Sequence, residues 1–351
     1  MNVFEELSEY GHEQVSFWSE PELGYRGIIA IHDTTLGPAL GGTRFWNYDN
    51  VDDAIVDVLR LARGMTYKAA IAGVNLGGGK SVIIGDNRTR DREMIFRAHG
   101  RAVEALGGRY ITAEDVGTSV DDMEFVRMET DAVVGLHGGS GDPSPVTAYG
   151  TYHGIRACAE RLYGDPSLGG RHVTVQGVGH VGYHLCALLA EEGARLTVAD
   201  IDPLRTDRAK KEFGARIVEA DEIYSVKADV FAPCALGAVL NDETLPVLEV
   251  DIVAGAANNQ LALPRHGEAL HEREILYAPD YVINAGGLIN CYGELHDWGS
   301  DRSKRKAAEI YGTLIKIFEL ADRESVPAGQ AADRLAEERI RKTRHLHRSW
   351  V

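Results

Sequence analysis

The chain has 351 residues, 44% hydrophobic and 26% charged, a composition of folded globular proteins and a length that accommodates two domains. Its 37 basic and 53 acidic residues leave a formal charge of −16, which repels nucleic acid and anionic lipid and argues against either as a partner. The opening MNVFEELSEYGHEQ is polar and acidic, unlike a signal peptide, and no apolar run approaches the ~20 residues of a membrane span, so cytoplasmic residence is expected.

In chain order, Gly27–Ile31 (GIIAI) reads as a strand and Val51–Ala72 as a helix, with Ile55, Val58, Leu59 and Ala62 on one face. Ser81–Ile84 reads as an apolar strand, and Arg109–Thr112 as another that ends in Ala113, Glu114 and Asp115. Such strand ends are where α/β proteins place polar working groups. The stretch GGSGDPSP (138–145) interrupts the pattern as a hinge. Beyond it come strands at Val173–Gln176 and Arg195–Ala199 around a helix that runs through Glu191. Further strands are expected at Val230–Ala232, Ile252–Ala254 and Tyr281–Ile283. Strands alternating with helices predict a parallel, doubly wound sheet. From Asp301 onward the chain reads as helical, with Ile310, Leu314, Ile317 and Leu320 at helical spacing, and the basic run Arg339–Arg348 reads as a solvated helix end.

The hexamer Gly177-Val-Gly-His-Val-Gly182 is a G-x-G-x-x-G. Alone it is a weak signal. Here it follows the strand HVTVQ, opens a helix, and is followed by Asp200 at the end of the next strand. Glycines allow the backbone to approach a pyrophosphate, the helix N-terminus offers free N–H groups, and a carboxylate accepts the ribose hydroxyls. A carboxylate at Asp200 also repels a 2′-phosphate, which favours NAD over NADP; the neighbouring Arg205 works against that preference.

In the first half, Lys68 ends a core-facing helix, and Lys80 stands between three glycines and an apolar strand. A lysine among apolar groups or beside another cation has a lowered pKa, which suits it to general-base work. A second lysine can hold a substrate carboxylate, and an aspartate can shuttle a proton. Gly79-Lys80-Ser81 is not a Walker A loop, because the earlier glycine would fall on Val74. Ser140 is not a nucleophile elbow, because Asp142 occupies the second glycine position. The four cysteines form no C-x-x-C pair, and His180 and His184 lack the glutamate of H-E-x-x-H, so no metal site is expected.

Seven stretches, LGPALGGTR (36–44), RGMTYK (63–68), GGGK (77–80), TAEDVG (112–117), APCALG (232–237), GAANNQ (255–260) and NAGGLIN (284–290), occur in the order that resembles the glutamate/leucine/phenylalanine/valine dehydrogenase superfamily, over nearly the full length. The chain is most similar to the leucine and valine branch. The resemblance implies that Lys68 grips a substrate carboxylate, Lys80 activates the attacking water and Asp115 relays protons to and from the amino group. It implies that Asn258 orients the substrate and Thr147 the nicotinamide. With Gly177, Gly179, Val181, Gly182 and Asp200, the cofactor set is then completed by Cys234, Ala235, Asn258 and Asn284. The implied reaction is the reversible, NAD-dependent deamination of an amino acid to a 2-keto acid and ammonia, in a homo-oligomer of unspecified order. The expected architecture is α/β: an N-terminal catalytic domain over residues 1–137, to which a C-terminal helix (325–351) returns, and a Rossmann-type doubly wound NAD-binding domain over 146–324.

The resemblance also implies a side-chain cavity lined by Leu40, Gly41, Met65, Ala113, Leu288 and Cys291. Glutamate-specific members resembling this chain carry lysine at the position of Leu40 and serine at that of Cys291, so a second carboxylate would be left unpaired here. Leucine-type relatives carry valine at both Leu288 and Cys291, and alanine and aspartate where this chain has Tyr292 and Gly293. Branched-chain substrates are the expectation. An aromatic or broad preference is the alternative, since one methylene separates substrates by only ~1–3 kcal/mol. A non-catalytic NAD-binding regulator is the distant alternative, and intact Lys68, Lys80 and Asp115 argue against it.

Overall fold

In the computed structural model, residues 2–139 and 141–348 are described; Ser140 lies outside them. The chain divides into two compact units, one of residues 1–141, 291–298 and 336–351, the other of 142–290 and 299–335. Among the described residues no helix is long and apolar enough to cross a membrane.

Unit 1 runs α1 (Val3–Tyr10), β1 (Gln14–Glu20), β2 (Tyr25–Asp33), β3 (Ala39–Trp46), α2 (Val51–Ile71), β4 (Gly77–Ile84), α3 (Glu93–Glu104), β5 (Tyr110–Glu114) and α4 (Val120–Arg127). Its sheet has the order β1-β2-β4-β3-β5, with the β3–β4 and β3–β5 pairs parallel and β1–β2 and β2–β4 antiparallel. α2 starts where the Asn50 side chain accepts from Asp53 N–H, and it buries Ala54, Ile55, Val58, Leu59, Ala62, Thr66, Ala69 and Ala70 on one stripe. β4 begins at Gly77, so the glycines before Lys80 belong to the strand rather than to a loop ahead of it. They let α2 come close: a Cβ on Gly78 would stand 2.1 Å from the backbone nitrogen of Thr66.

Unit 2 runs α5 (Ser144–Tyr163), β6 (His172–Gln176), α6 (His180–Glu191), β7 (Arg195–Ala199), α7 (Pro203–Phe213), β8 (Arg216–Ile217), β9 (Ala228–Pro233), β10 (Val250–Val253), α8 (Arg265–Glu272), β11 (Leu276–Tyr277) and α9 (Asp280–Ile283). Then follow α10 (Gly286–Leu295), α11 (Ser300–Ala308), α12 (Ile310–Glu324) and α13 (Ala328–Arg348). The chain passes between the units within α10 and again within α13. The sheet order is β11-β10-β9-β6-β7-β8, with every pair parallel. This is the Rossmann order, whose switch point lies between β6 and β9.

Two expectations are corrected. Tyr281–Ile283 is not a strand but part of the helical turn α9, closed by Ile283 N–H to Pro279 O (3.1 Å) and Asn284 N–H to Asp280 O (3.0 Å). The sixth strand is the two-residue β11 just before it. A short apolar triplet carries no periodicity that separates strand from helix. The basic run of α13 is also more than a solvated helix end. Arg339 donates to Ala69 O (3.1 Å), Ala70 O (2.8 Å) and Asn75 Oδ1 (3.0 Å), and Arg344 pairs with Asp33. Ala69 O and Ala70 O at the end of α2 also accept from Val74 N–H and Gly73 N–H, both at 3.3 Å, and the arginine fork adds a charged donor to these helix-end carbonyls.

Candidate active site

In unit 1 the sheet register sets the backbone of the site. Leu40, buried on β3, lies opposite Gly78 of β4 and Ile111 of β5. Gly41 pairs with Thr112, Gly42 with Ala113, and the Tyr110 hydroxyl donates to Gly41 O at 2.5 Å. Met65 and Lys68 stand half-buried in the last two turns of α2. Cys291, half-buried, belongs to the part of α10 that folds with this unit.

Lys80 and Asp115 come together. Lys80, in mid-strand on β4, is 5% exposed, and its Nζ stands 3.0 Å from Asp115 Oδ2, just past the end of β5. Burial pulls the lysine below its ordinary pKa against the opposing attraction of Asp115, with the Arg44 guanidinium adding to the lowering. Burial pushes the aspartate up, but Lys80 and Arg44 together outweigh it and leave the carboxyl below its ordinary pKa. The pair thus combines an ionised carboxylate with an ammonium that gives up its proton more readily than a surface lysine.

Arg44 lies within the stretch 36–44 without a role in the sequence analysis, and Asp57 and Tyr48 carry no sequence signal of one. In the structure Arg44 Nε lies 3.1 Å from Asp115 Oδ2 and Nη1 lies 2.7 Å from Asp57 Oδ2, which also accepts from the Tyr48 hydroxyl at 2.7 Å. The available signal was Arg44 at the end of the glycine-rich β3, close in sequence to an acidic helix start. Under the sheet, Thr43, Ser81, His99, Thr112, Tyr25 and Tyr110 form a buried polar network. Burial lowers the His99 pKa to about 3, so its imidazole is neutral and serves as a hydrogen-bonding strut.

In unit 2 the glycine hexamer sits at the switch point. Gly177, at φ +88°, follows β6, and a Cβ on it would stand 2.6 Å from the Cβ of Ala235 beyond β9. A Cβ on Gly182 would meet Gly177 O at 2.0 Å. Gly179 is the N-cap of α6, and Val181 and Gly182 lie in its first turn. Asp200 lies just past the end of β7, its Oδ2 accepting from Val178 N–H at 2.8 Å and its Oδ1 from Asp202 N–H at 2.9 Å. Cys234 follows β9, its N–H donating to Gln176 O at 2.7 Å.

Asn284, 5% exposed, donates from Nδ2 to Asn258 Oδ1 at 2.7 Å, while its own Oδ1 is buried without a hydrogen-bond partner. Thr147 on α5 packs under the start of α10, where a Cβ on Gly286 would lie 2.6 Å from its Cα. Leu288 is buried one turn into α10. The glycine cradle, the carboxylate at the end of β7 and the orphaned acceptor on Asn284 fit a dinucleotide.

The chain thus combines a Rossmann-type unit whose residues fit a dinucleotide with a unit that buries a lysine–aspartate pair. Residues 12–132 match the family described as Glu/Leu/Phe/Val dehydrogenase, dimerisation domain, and residues 138–203 and 201–345 match Glutamate/Leucine/Phenylalanine/Valine dehydrogenase. The chain is 55% identical to leucine dehydrogenase of Bacillus subtilis (strain 168), covering 100% of this chain and 97% of that one. It is 47% identical to phenylalanine dehydrogenase of Bacillus thermotolerans over 99% of this chain and 94% of that one. The crystal structure of L-tryptophan dehydrogenase from Nostoc punctiforme superposes with a TM-score of 0.88 at 47% identity, over 97% of this chain and 99% of the other. The chain belongs to the glutamate/leucine/phenylalanine/valine dehydrogenase family. It is an amino-acid dehydrogenase with NAD as its cofactor.

Proposed function

We propose that the protein oxidatively deaminates a branched-chain L-amino acid, leucine, valine or isoleucine, to its 2-keto acid and ammonia, and runs the reverse reaction. The observation that carries the chemistry is the buried Lys80–Asp115 pair at 3.0 Å. NAD, when bound, supplies the hydride acceptor for the substrate Cα, held by Gly177, Gly179, Val181, Gly182, Asp200, Cys234, Ala235, Asn284 and Thr147. Lys68 holds the substrate carboxylate, and Asn258 orients the amino group. Asp115 takes the proton released from that group as the imine forms. Lys80, unprotonated, takes a proton from water as the oxygen adds to the imine carbon and passes it to nitrogen; it then takes the remaining hydroxyl proton as the carbonyl forms and ammonia leaves. The base is effective because burial lowers its pKa toward working pH.

Leu40, Gly41, Met65, Ala113, Leu288 and Cys291 form our set for the substrate side chain. Leu40 is 2% exposed and Leu288 6%, so a glutamate carboxylate beside them would be desolvated without a partner. The identity to a leucine dehydrogenase supports the branched-chain reading. The 47% identity to a phenylalanine dehydrogenase and to a tryptophan dehydrogenase structure favours an aromatic substrate as the second reading. We also propose a homo-oligomer, supported by the dimerisation-domain match. Its four free cysteines suit the reducing cytoplasm where we place it.

A panel of L-amino acids with NAD, followed by NADH absorbance, tests the reading. Leucine, valine and isoleucine should lead in kcat/KM, methionine and phenylalanine should be weaker, and glutamate undetectable. A tenfold preference for phenylalanine or tryptophan over leucine sinks the branched-chain reading and leaves the dehydrogenase chemistry standing.

A further inference from the structure

The side-chain contacts of Asp115 fall on one oxygen. Lys80 Nζ at 3.0 Å and Arg44 Nε at 3.1 Å both point at Oδ2, while 24% of the side chain remains exposed. Arg44 is itself held from behind by Asp57 Oδ2 at 2.7 Å, and Asp57 in turn by Tyr48 and by Arg60 Nη2 at 3.1 Å. The result is a chain of alternating charge, from Lys80 through Asp115 and Arg44 to Asp57, carried by β4, the end of β5, β3 and α2.

We infer that Arg44, anchored by Asp57, is a positioning residue that pins Asp115 through Oδ2 and leaves Oδ1 to carry the proton. This rests on the proposed role of Asp115 as the proton relay. The physical need follows from the two jobs of the pair. When Lys80 gives up its proton to work as a base, Asp115 loses one of its two cations. A guanidinium cannot be deprotonated at working pH, so Arg44 holds the Asp115 carboxyl by Oδ2 through that half of the cycle, whichever charge state Oδ1 is in. Its charge also opposes protonation of Lys80, and Asp57 tempers that effect from the other side. Tyr110 on β5 also faces Asp115, and burial pushes its phenol up to about 12, so it stays neutral. Lys68 lies on the same helix as Asp57, about three turns further on.

The test is the pH dependence of kcat for oxidative deamination at saturating substrate, in the native enzyme and in R44M, R44K and D57N. Losing the Arg44 charge raises the pKa of both Lys80 and Asp115. The acid-side limb of R44M should therefore move to higher pH by about one unit, and R44K should bring it back toward the native position. Losing the Asp57 charge does the opposite, so the limb of D57N should move to lower pH. A role confined to packing would scale kcat at every pH and leave the limb in place. An unmoved limb, or R44M and D57N moving in the same direction, overturns the inference. If R44M does not fold, the R44K and D57N profiles decide it on the same terms. D115N separates the two readings: retained turnover removes Asp115 as the relay, whereas lost turnover with unmoved limbs in the other variants removes only Arg44.

Discussion

Lys80 is held where a charged lysine is least comfortable, at 5% exposure and against a carboxylate oxygen of Asp115, and the cost of that burial is what would suit it to the proposed role of base. Because its pKa is lowered from the ordinary value, the neutral fraction at any pH below that value is larger than for a surface lysine. Oxidative turnover should rise with pH through the lowered pKa, earlier than a solvated amine would allow. Lys80→Ala should abolish turnover while leaving NAD affinity, measured by fluorescence titration, within about threefold of native, since base loss removes a transition-state interaction rather than uniform binding. A variant that keeps a tenth of native kcat would remove Lys80 from the mechanism. Lys80 stands out in the sequence because a lysine inside a glycine-apolar strand is rare, and the structure sets it 3.0 Å from Asp115. Arg44 and Asp57 do not stand out, because an arginine ending a strand and an aspartate early in a helix are ordinary surface residues until the fold sets them face to face.

At the scale of elements, α2 carries Asp57, Met65 and Lys68 and is fixed at its far end by α13. Arg339 caps the carbonyls of Ala69 and Ala70, Tyr67 donates to Glu337 at 2.7 Å, and Ala336 and Ile340 pack with Leu36 and Ala70. Arg339→Ala removes a charged donor from helix-end carbonyls whose other donors are the N–H groups of Gly73 and Val74 at 3.3 Å, a loss of about 1.5 kcal/mol. It should lower the calorimetric Tm by several degrees and raise KM for the amino acid more than it lowers kcat, since Lys68 is in the adjoining turn. An unchanged Tm would show that water replaces the guanidinium without loss. The elements of the dinucleotide unit were legible almost to the residue: β6, β7 and α6 are long, punctuated and strongly patterned. What escaped were the two-residue strands β8 and β11 and the turn α9, where tertiary pairing rather than local pattern decides the structure. The capping role of α13 escaped too, because a cluster of arginines reads alike whether it faces water or a helix end.

For the molecule as a whole, the division into two units makes cofactor binding a stability term that can be read without turnover. Whatever binds the folded dinucleotide unit and not the unfolded chain stabilises it by about 2.7 kcal/mol at a concentration of 100 Kd. At roughly 2–4 °C per kcal/mol for a domain of this size, NAD should raise Tm by several degrees. NADP should raise it much less at the same concentration. Asp200 presents a carboxylate whose side chain is 6% exposed, fixed by the N–H groups of Val178 and Asp202, so it cannot swing away from an incoming 2′-phosphate. The cation that would rescue NADP is already engaged: Arg205 Nη1 lies 3.8 Å from Asp200 Oδ1, and Nε lies 3.4 Å from Asp202 Oδ2. Asp200→Asn keeps an acceptor oxygen for part of that backbone network and removes the charge, so it should narrow the gap between the two Tm shifts, mainly by enlarging the one with NADP. Equal shifts from NAD and NADP in the native protein would mean that Arg205 leaves its two carboxylates for the phosphate, and that the charge at the end of β7 does not choose the cofactor.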